Sequence, residues 1–215
     1  MVRSLYHRLT LLLLLGALLS GCASSEPARF YTLHPLQGAG GLTERKESAG
    51  SLTIAVGPIK FPDHLQRPEV VTRTTQTQMR FSEFNFWAGS LSENFTDVLI
   101  DNLSALLARE KVMVLANRTR PGFVDYQLVM EVLHFEGPLG GDVSLVARWT
   151  IVKGKDKQWL FVQHSSFSEP SWETGRAGGA GGTGSAGYEA LVAAQSRALE
   201  RLSREIAEAI QKLPR

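Results

Sequence analysis

Asp125-Tyr-Gln-Leu-Val-Met-Glu-Val-Leu-His-Phe135, Val143-Ser-Leu-Val-Ala-Arg-Trp-Thr-Ile-Val152 and Trp159-Leu-Phe-Val-Gln-His-Ser-Ser-Phe167 are three runs dense in β-branched and aromatic residues. They are divided by Gly137-Pro138-Leu139-Gly140-Gly141 and by Lys153-Gly154-Lys155-Asp156-Lys157. Such runs between short turn-rich loops read as strands of an antiparallel meander. In the middle run Ser144 and Arg148 alternate against Leu145, Ala147 and Trp149, so one face is apolar and the other wetter. An apolar sheet face needs a cover, and two segments supply it. Ser90-Leu91-Ser92-Glu93 has the spacing of a capping box, followed by Leu91, Phe95, Val98, Leu99, Leu103, Leu106 and Leu107 at helical intervals. This predicts an amphipathic helix over Leu91–Ala108. Tyr188–Leu213 places Leu191, Val192, Gln195, Leu199, Leu202, Ile206, Ile210 and Leu213 on one face. Its opposite face carries Arg197, Arg201, Arg204 and Glu208, with Glu200→Arg204 and Glu208→Lys212 pairs in the favourable order. Two apolar stripes and one apolar sheet face make two layers around one core. The expected architecture is a single α+β domain: a mixed, mostly antiparallel sheet with both helices on one face.

Further out, Leu52–Ile59 reads as a strand, and Gly57-Pro58 suits an edge position because proline cannot donate to a ladder. Val112–Leu115 is a short strand, and Val70–Thr77 with Met79–Phe84 reads as a strand pair. Phe81, Phe84, Phe86 and Trp87 crowd four aromatics into seven residues, which must pack in the core or face a partner. Phe30–Leu33 is a brief β-prone run, while Gln37–Ser51 and the glycine-rich Glu169–Gly187 read as loops.

At the N-terminus, Arg3, His7 and Arg8 precede the eleven-residue apolar run Leu9–Leu19. A membrane-spanning helix needs about 20 apolar residues, so this reads as a secretory signal. Leu19-Ser20-Gly21-Cys22 resembles the bacterial lipobox, which implies cleavage before Cys22 and a lipid on its thiol. An ordinary signal cleaved elsewhere is the alternative. Cys22 is the sole cysteine, so no intramolecular disulfide forms. Ala23 and Ser24 follow it where an aspartate would favour retention in the inner membrane, which implies the periplasmic face of the outer membrane. Without residues 1–21 the chain has 194 residues with 21 basic and 21 acidic side chains, so its formal charge is zero. A neutral chain lacks the basic footprint of nucleic-acid binding. The organisation is therefore a signal peptide (1–21), a lipidated cysteine with tether and loop (22–51) and a folded domain (52–215).

Chemical constellations are sparse. Gly182-Thr183-Gly184-Ser185-Ala186-Gly187 matches GxGxxG, but the chain ends after the following helix, with no strand to complete a dinucleotide site. His64, His134 and His164 have no metal-ligand spacing, although His134 and His164 lie late in strands that could pair. No GxSxG elbow marks a nucleophile. No catalytic site, metal or cofactor is expected. Arg67, Arg73, Arg80, Arg118 and Arg120 form either a patch for an anionic partner or an ordinary solvated surface.

Several stretches together carry a family likeness. Ile54-Ala55-Val56-Gly57-Pro58, Phe61-Pro62-Asp63-His64-Leu65 with Arg67-Pro68, Val70-Val71-Thr72-Arg73 and Trp87-Ala88 resemble the auxiliary lipoproteins of ABC-type lipid transport systems, in their Pqi (paraquat-inducible) branch. Tyr188–Val192, Ser196–Leu199 and Leu202-Ser203 fit the same family's last helix. Gly89-Ser90 stands where the family pattern has an acidic residue and proline, and the glycine-rich loop is longer. The resemblance implies a non-enzymatic outer-membrane lipoprotein. It would serve phospholipid traffic and envelope integrity with an MCE-domain protein that spans the periplasm, and through it with a permease and ATPase. Two other classes stay open, a scaffold lipoprotein for another envelope protein or polysaccharide and a hydrolase whose pocket would gather a serine or carboxylate with His134 or His164, and so does homo-oligomerisation. Partner contact is expected at Pro62, Leu65, Arg67, Pro68, Arg73 and Trp87, where the chain is at once irregular, aromatic and cationic. Core packing is the rival explanation for Trp87.

Overall fold

A computed structural model describes residues 26–37, 52–117, 124–154, 158–172 and 185–214. The signal segment, Cys22, the loop at 38–51 and most of the glycine-rich stretch lie outside the described residues. In order come β1 (Arg29–Tyr31), β2 (Leu52–Lys60), a 3-10 turn (Asp63–Leu65), β3 (Glu69–Arg73), β4 (Met79–Trp87) and α1 (Leu91–Leu106). Then follow β5 (Val112–Ala116), β6 (Tyr126–Glu136), β7 (Asp142–Lys153), β8 (Trp159–Pro170) and α2 (Ser185–Gln211). Of the GxGxxG match, Ser185–Gly187 belong to the first turn of α2.

The α+β expectation holds, with mixed sheets and both helices. The strands divide into a five-stranded sheet ordered β5-β2-β6-β7-β8 and a three-stranded sheet ordered β1-β4-β3. β6, β7 and β8 form the antiparallel meander, and β2 runs parallel to both β5 and β6. The proline-bearing strand is therefore interior, not at an edge. Pro58 is accommodated because the β2–β6 register breaks between Val56 and Ile59, where Gly57 takes φ +112° and no ladder bond is required of the proline. Gln127 Nε2 donates to the Gly57 carbonyl at 2.7 Å in that gap. β3 stops at Arg73, short of Thr77, because the threonines beyond it bond locally: Thr75 Oγ1 accepts from the Thr77 and Gln78 backbone N–H groups.

One face of the large sheet is dry. Ile54, Val56, Leu128, Met130, Leu145, Ala147, Trp149 and Ile151 are buried there beneath α1 and α2. Ser90 caps α1 by accepting from the Glu93 N–H at 3.5 Å, and Leu91, Phe95, Val98, Leu99 and Leu103 form its buried stripe. Phe95 sits edge-on to both Phe61 and Phe135, with ring centroids 5.2 Å apart in each pair. Along α2, Leu191, Leu199, Leu202 and Ile206 are fully buried, and Gln195 reaches the Phe135 carbonyl at 2.7 Å. Removing the Phe95 ring leaves a cavity the two neighbouring phenyls cannot fill. Phe95→Ala should lower stability by about 3–5 kcal/mol in chemical denaturation. Val162→Ser, on the exposed outer face of β8, should stay within about 0.5 kcal/mol.

Candidate functional site

The segment from Phe61 to Arg73 joins the two sheets. Phe61 is buried under Phe95, the 3-10 turn closes through Leu65 N–H to the Pro62 carbonyl at 2.9 Å, and Leu65 is buried in the core. Gln66 Nε2 donates to the Phe61 carbonyl at 2.8 Å, which folds the loop on itself. Pro62 is half-buried and Pro68 exposed, and the Pro68 carbonyl accepts from the Trp87 N–H at 2.7 Å. Trp87 is only 5% exposed, so its indole belongs to the core. Arg67 is exposed, with its guanidinium 4.5 Å from the centroid of the Phe81 ring and Nε donating to Glu69 at 3.3 Å. The Glu69 carboxyl is held below the usual carboxylate range by its own backbone N–H and then by Arg67.

Arg73 turns the other way. Its Nη2 and Nε donate to Glu136 Oε1 at 2.5 and 3.1 Å, and its backbone N–H donates to the Gly137 carbonyl at 3.0 Å. The Glu136 side chain is 1% exposed. Its Oε2 accepts from the Phe135 N–H at 2.7 Å, and His134 Nδ1 lies 3.1 Å from Oε1. His64 Nε2, buried and without a hydrogen-bond partner among the described residues, stands 4.0 Å from Oε2. Burial alone would raise the Glu136 carboxyl. Hydrogen bonds from Arg73, the Phe135 N–H and His134 outweigh it and hold the group below the usual carboxylate range. The six residues named from sequence thus do not form one contact patch. Arg67 and Pro68 face outward, Leu65 and Trp87 face inward, and Arg73 is paired with the buried Glu136. The sequence reading missed Glu136. Strand alternation would have signalled it, but the β6–β7 register shifts between Val132 and His134.

His134 and His164 are not brought together, because β7 lies between their strands and His164 is the register partner of Arg148 in β7. Among the described residues no group of three or more His, Cys, Asp and Glu side chains is placed to hold a metal ion. A shallow cleft of about 240 Å³ opens between Tyr31, Trp87 and the start of α1. Its Ser90 hydroxyl is engaged in capping, 2.8 Å from Ser92 Oγ. No helix of the described residues is long and apolar enough to cross a membrane.

The sequence pattern described as the ABC-type transport auxiliary lipoprotein component matches residues 31–207. The chain belongs to this family. Within it, the intermembrane transport lipoprotein PqiC of Escherichia coli K12 is 28% identical over 133 residues, covering 62% of this chain and 68% of PqiC. PqiC of Shigella flexneri matches to the same extent. The Pqi-branch resemblance of the sequence motifs therefore holds. Among solved structures, that of an uncharacterized protein superposes with a TM-score of 0.66 at 20% identity, covering 86% of this chain and 99% of the other. A Xanthomonas campestris protein superposes with a TM-score of 0.59 at 15% identity, covering 87% and 95%. At these identities the likeness concerns the fold alone. The chain is thus an auxiliary lipoprotein of a transport system.

Arg73→Ala should cost about 3–5 kcal/mol of folding stability by leaving Glu136 buried and uncompensated. The pH dependence has a definite sign. Because the folded pKa is depressed, the Glu136 contribution is present above the ordinary carboxylate value near 4.5 and is lost as pH falls through the lower folded value. Acid unfolding curves of the wild type and Glu136→Gln should therefore converge below pH 4.5.

Proposed function

We propose that this protein is the outer-membrane, non-catalytic subunit of an MCE-type phospholipid transport system. Residues 1–21 serve as its signal peptide, Cys22 as its lipidation site and residues 52–215 as the core of its domain. The family match over residues 31–207 carries this reading, and the lipobox Leu19–Cys22 supplies the anchor. Three acyl chains at about 0.8 kcal/mol per buried CH₂ hold a protein durably, whereas one binds reversibly. Ala23 after the cysteine favours the outer membrane, with the domain on the periplasmic side.

The partner is an MCE-domain protein that spans the periplasm, with its permease and ATPase behind it. The exposed side of the Pro62–Arg73 segment is the contact surface. Arg67, Pro68 and the outer edge of Pro62 meet the partner, while Leu65, Arg73 and Trp87 hold the segment in shape from within. The subunit contributes docking rather than turnover, and it needs no metal or cofactor.

Mild-detergent purification of the lipidated chain from its own envelope should recover the MCE protein and its permease. Recovery of the chain alone, or with an unrelated outer-membrane protein, from an extract that contains the MCE protein would favour the scaffold class instead. Arg67→Glu should weaken that recovery and leave the thermal midpoint within about 2 °C, since an exposed pair contributes little to stability. Cys22→Ser should release the protein from the membrane fraction.

A further inference from the structure

The small sheet carries aromatic rings near its N-terminal strand, exposed at Phe30 and Phe81 and half-buried at Phe86. Phe30 of β1, Phe86 of β4 and Glu69 of β3 are register partners across all three strands. The Phe30 and Phe86 rings lie 5.9 Å apart between centroids, and Phe30 is 67% exposed. Arg67 extends the row. It bonds Glu69 and lies over the ring of Phe81, which is 40% exposed. The Phe30–Phe86 pair and the Arg67–Phe81 pair thus lie on either side of Glu69 on the small sheet, with the guanidinium at the border.

This surface cannot stray far from Cys22. Only residues 23–28 separate the cysteine from β1. At about 3.5 Å per residue, even a fully extended tether keeps β1 within about 25 Å of the anchor point. Tethering at that range raises the local concentration of a weak binding surface to the millimolar scale. Two nearby cations are paired, Arg29 with Glu26 at 2.6 Å and Arg67 with Glu69 at 3.3 Å. A ring-rich surface edged by an arginine whose guanidinium lies over a phenyl suits the headgroup boundary of a bilayer, where phenyl rings bury and long cationic side chains reach toward water.

We infer that the Phe30–Phe86–Phe81 face of the small sheet rests on the lipid surface that holds Cys22, which fixes the orientation of the domain instead of leaving it free on its tether. The inference rests on lipidation at Cys22. Docking relies on the rings rather than on net charge, so it should depend little on anionic lipid or salt.

The test uses the full, lipidated chain in phosphatidylethanolamine/phosphatidylglycerol vesicles that carry a doxyl-labelled lipid. Because Cys22 is the sole cysteine, Phe81→Cys introduces the only thiol free to take an environment-sensitive fluorophore. Phe30→Cys provides a second position should the first variant fold poorly. Ser166→Cys, exposed on the outer side of β8, serves as the control. Quenching by the doxyl lipid should be at least about twofold greater at the small-sheet positions than at Ser166→Cys, and should persist at high salt and without phosphatidylglycerol. Equal, weak quenching at all positions in protein that floats with the vesicles would overturn the docked orientation and leave the lipid anchor standing. A fluorophore shielded from water but out of reach of the doxyl lipid would mean that a second copy or another protein covers the face, and would likewise overturn it. Labelling of the unsubstituted chain would reveal a free Cys22 thiol, so the anchor reading and this inference would fall together.

Discussion

Phe95 is clamped edge-on between Phe61 and Phe135, and through these contacts one helix, one loop and one central strand are held in register. The three rings come from parts of the chain with no local relation to one another. Their edge-to-face contacts set how α1 lies on the large sheet and where the Phe61–Arg73 segment leaves it. Close-packed aromatic interiors tolerate little displacement, because dispersion contacts are lost over fractions of an ångström. The path of the connecting segment is thereby fixed before any polar contact is counted.

The ion pair of Arg73 and Glu136 follows from that placement. Once Phe135 is seated under Phe95, the register shift in β6 leaves Glu136 buried at the seam between the sheets. A buried carboxylate is tolerable only when its oxygens are engaged, and here Arg73, the Phe135 N–H and His134 engage them. Gly137 completes the seam. A Cβ there would stand 2.4 Å from the Asp142 carbonyl oxygen, so the close approach of the β6–β7 turn requires glycine, and the Gly137 carbonyl at that turn accepts from the Arg73 N–H. At this seam polar bonds around the buried Glu136 fasten the small sheet to the large one.

The N-terminal segment is fastened as firmly. After β1, Leu33 N–H bonds Asn94 at 2.7 Å, His34 N–H bonds Ser196 at 3.2 Å and Leu36 N–H bonds Asn102 at 2.8 Å. Asn102 is fully buried and also bonds Ser203 of α2 at 3.1 Å, so this strap crosses both helices. The N-terminal strand is thereby linked to the helix pair and the large sheet. Residues 29–36, which read from sequence as part of the leading segment, belong to the packed body of the domain.

The sequence by itself determined the meander at 125–167, both amphipathic helices and the family likeness, because each rests on local periodicity or on residues adjacent in the chain. It also marked Pro62–Arg73 and Trp87 as unusual. Only the tertiary structure decided that the strands split into two sheets, that β2 is interior with Pro58 at a bulge, and that Trp87 and Leu65 are core while Arg67 is surface. It alone paired Arg73 with Glu136 across 63 positions of chain. The reason is physical: alternation predicts which face a residue takes only while the register is unbroken, and the breaks at Val56/Ile59 and Val132/His134 are set by what packs against the strands.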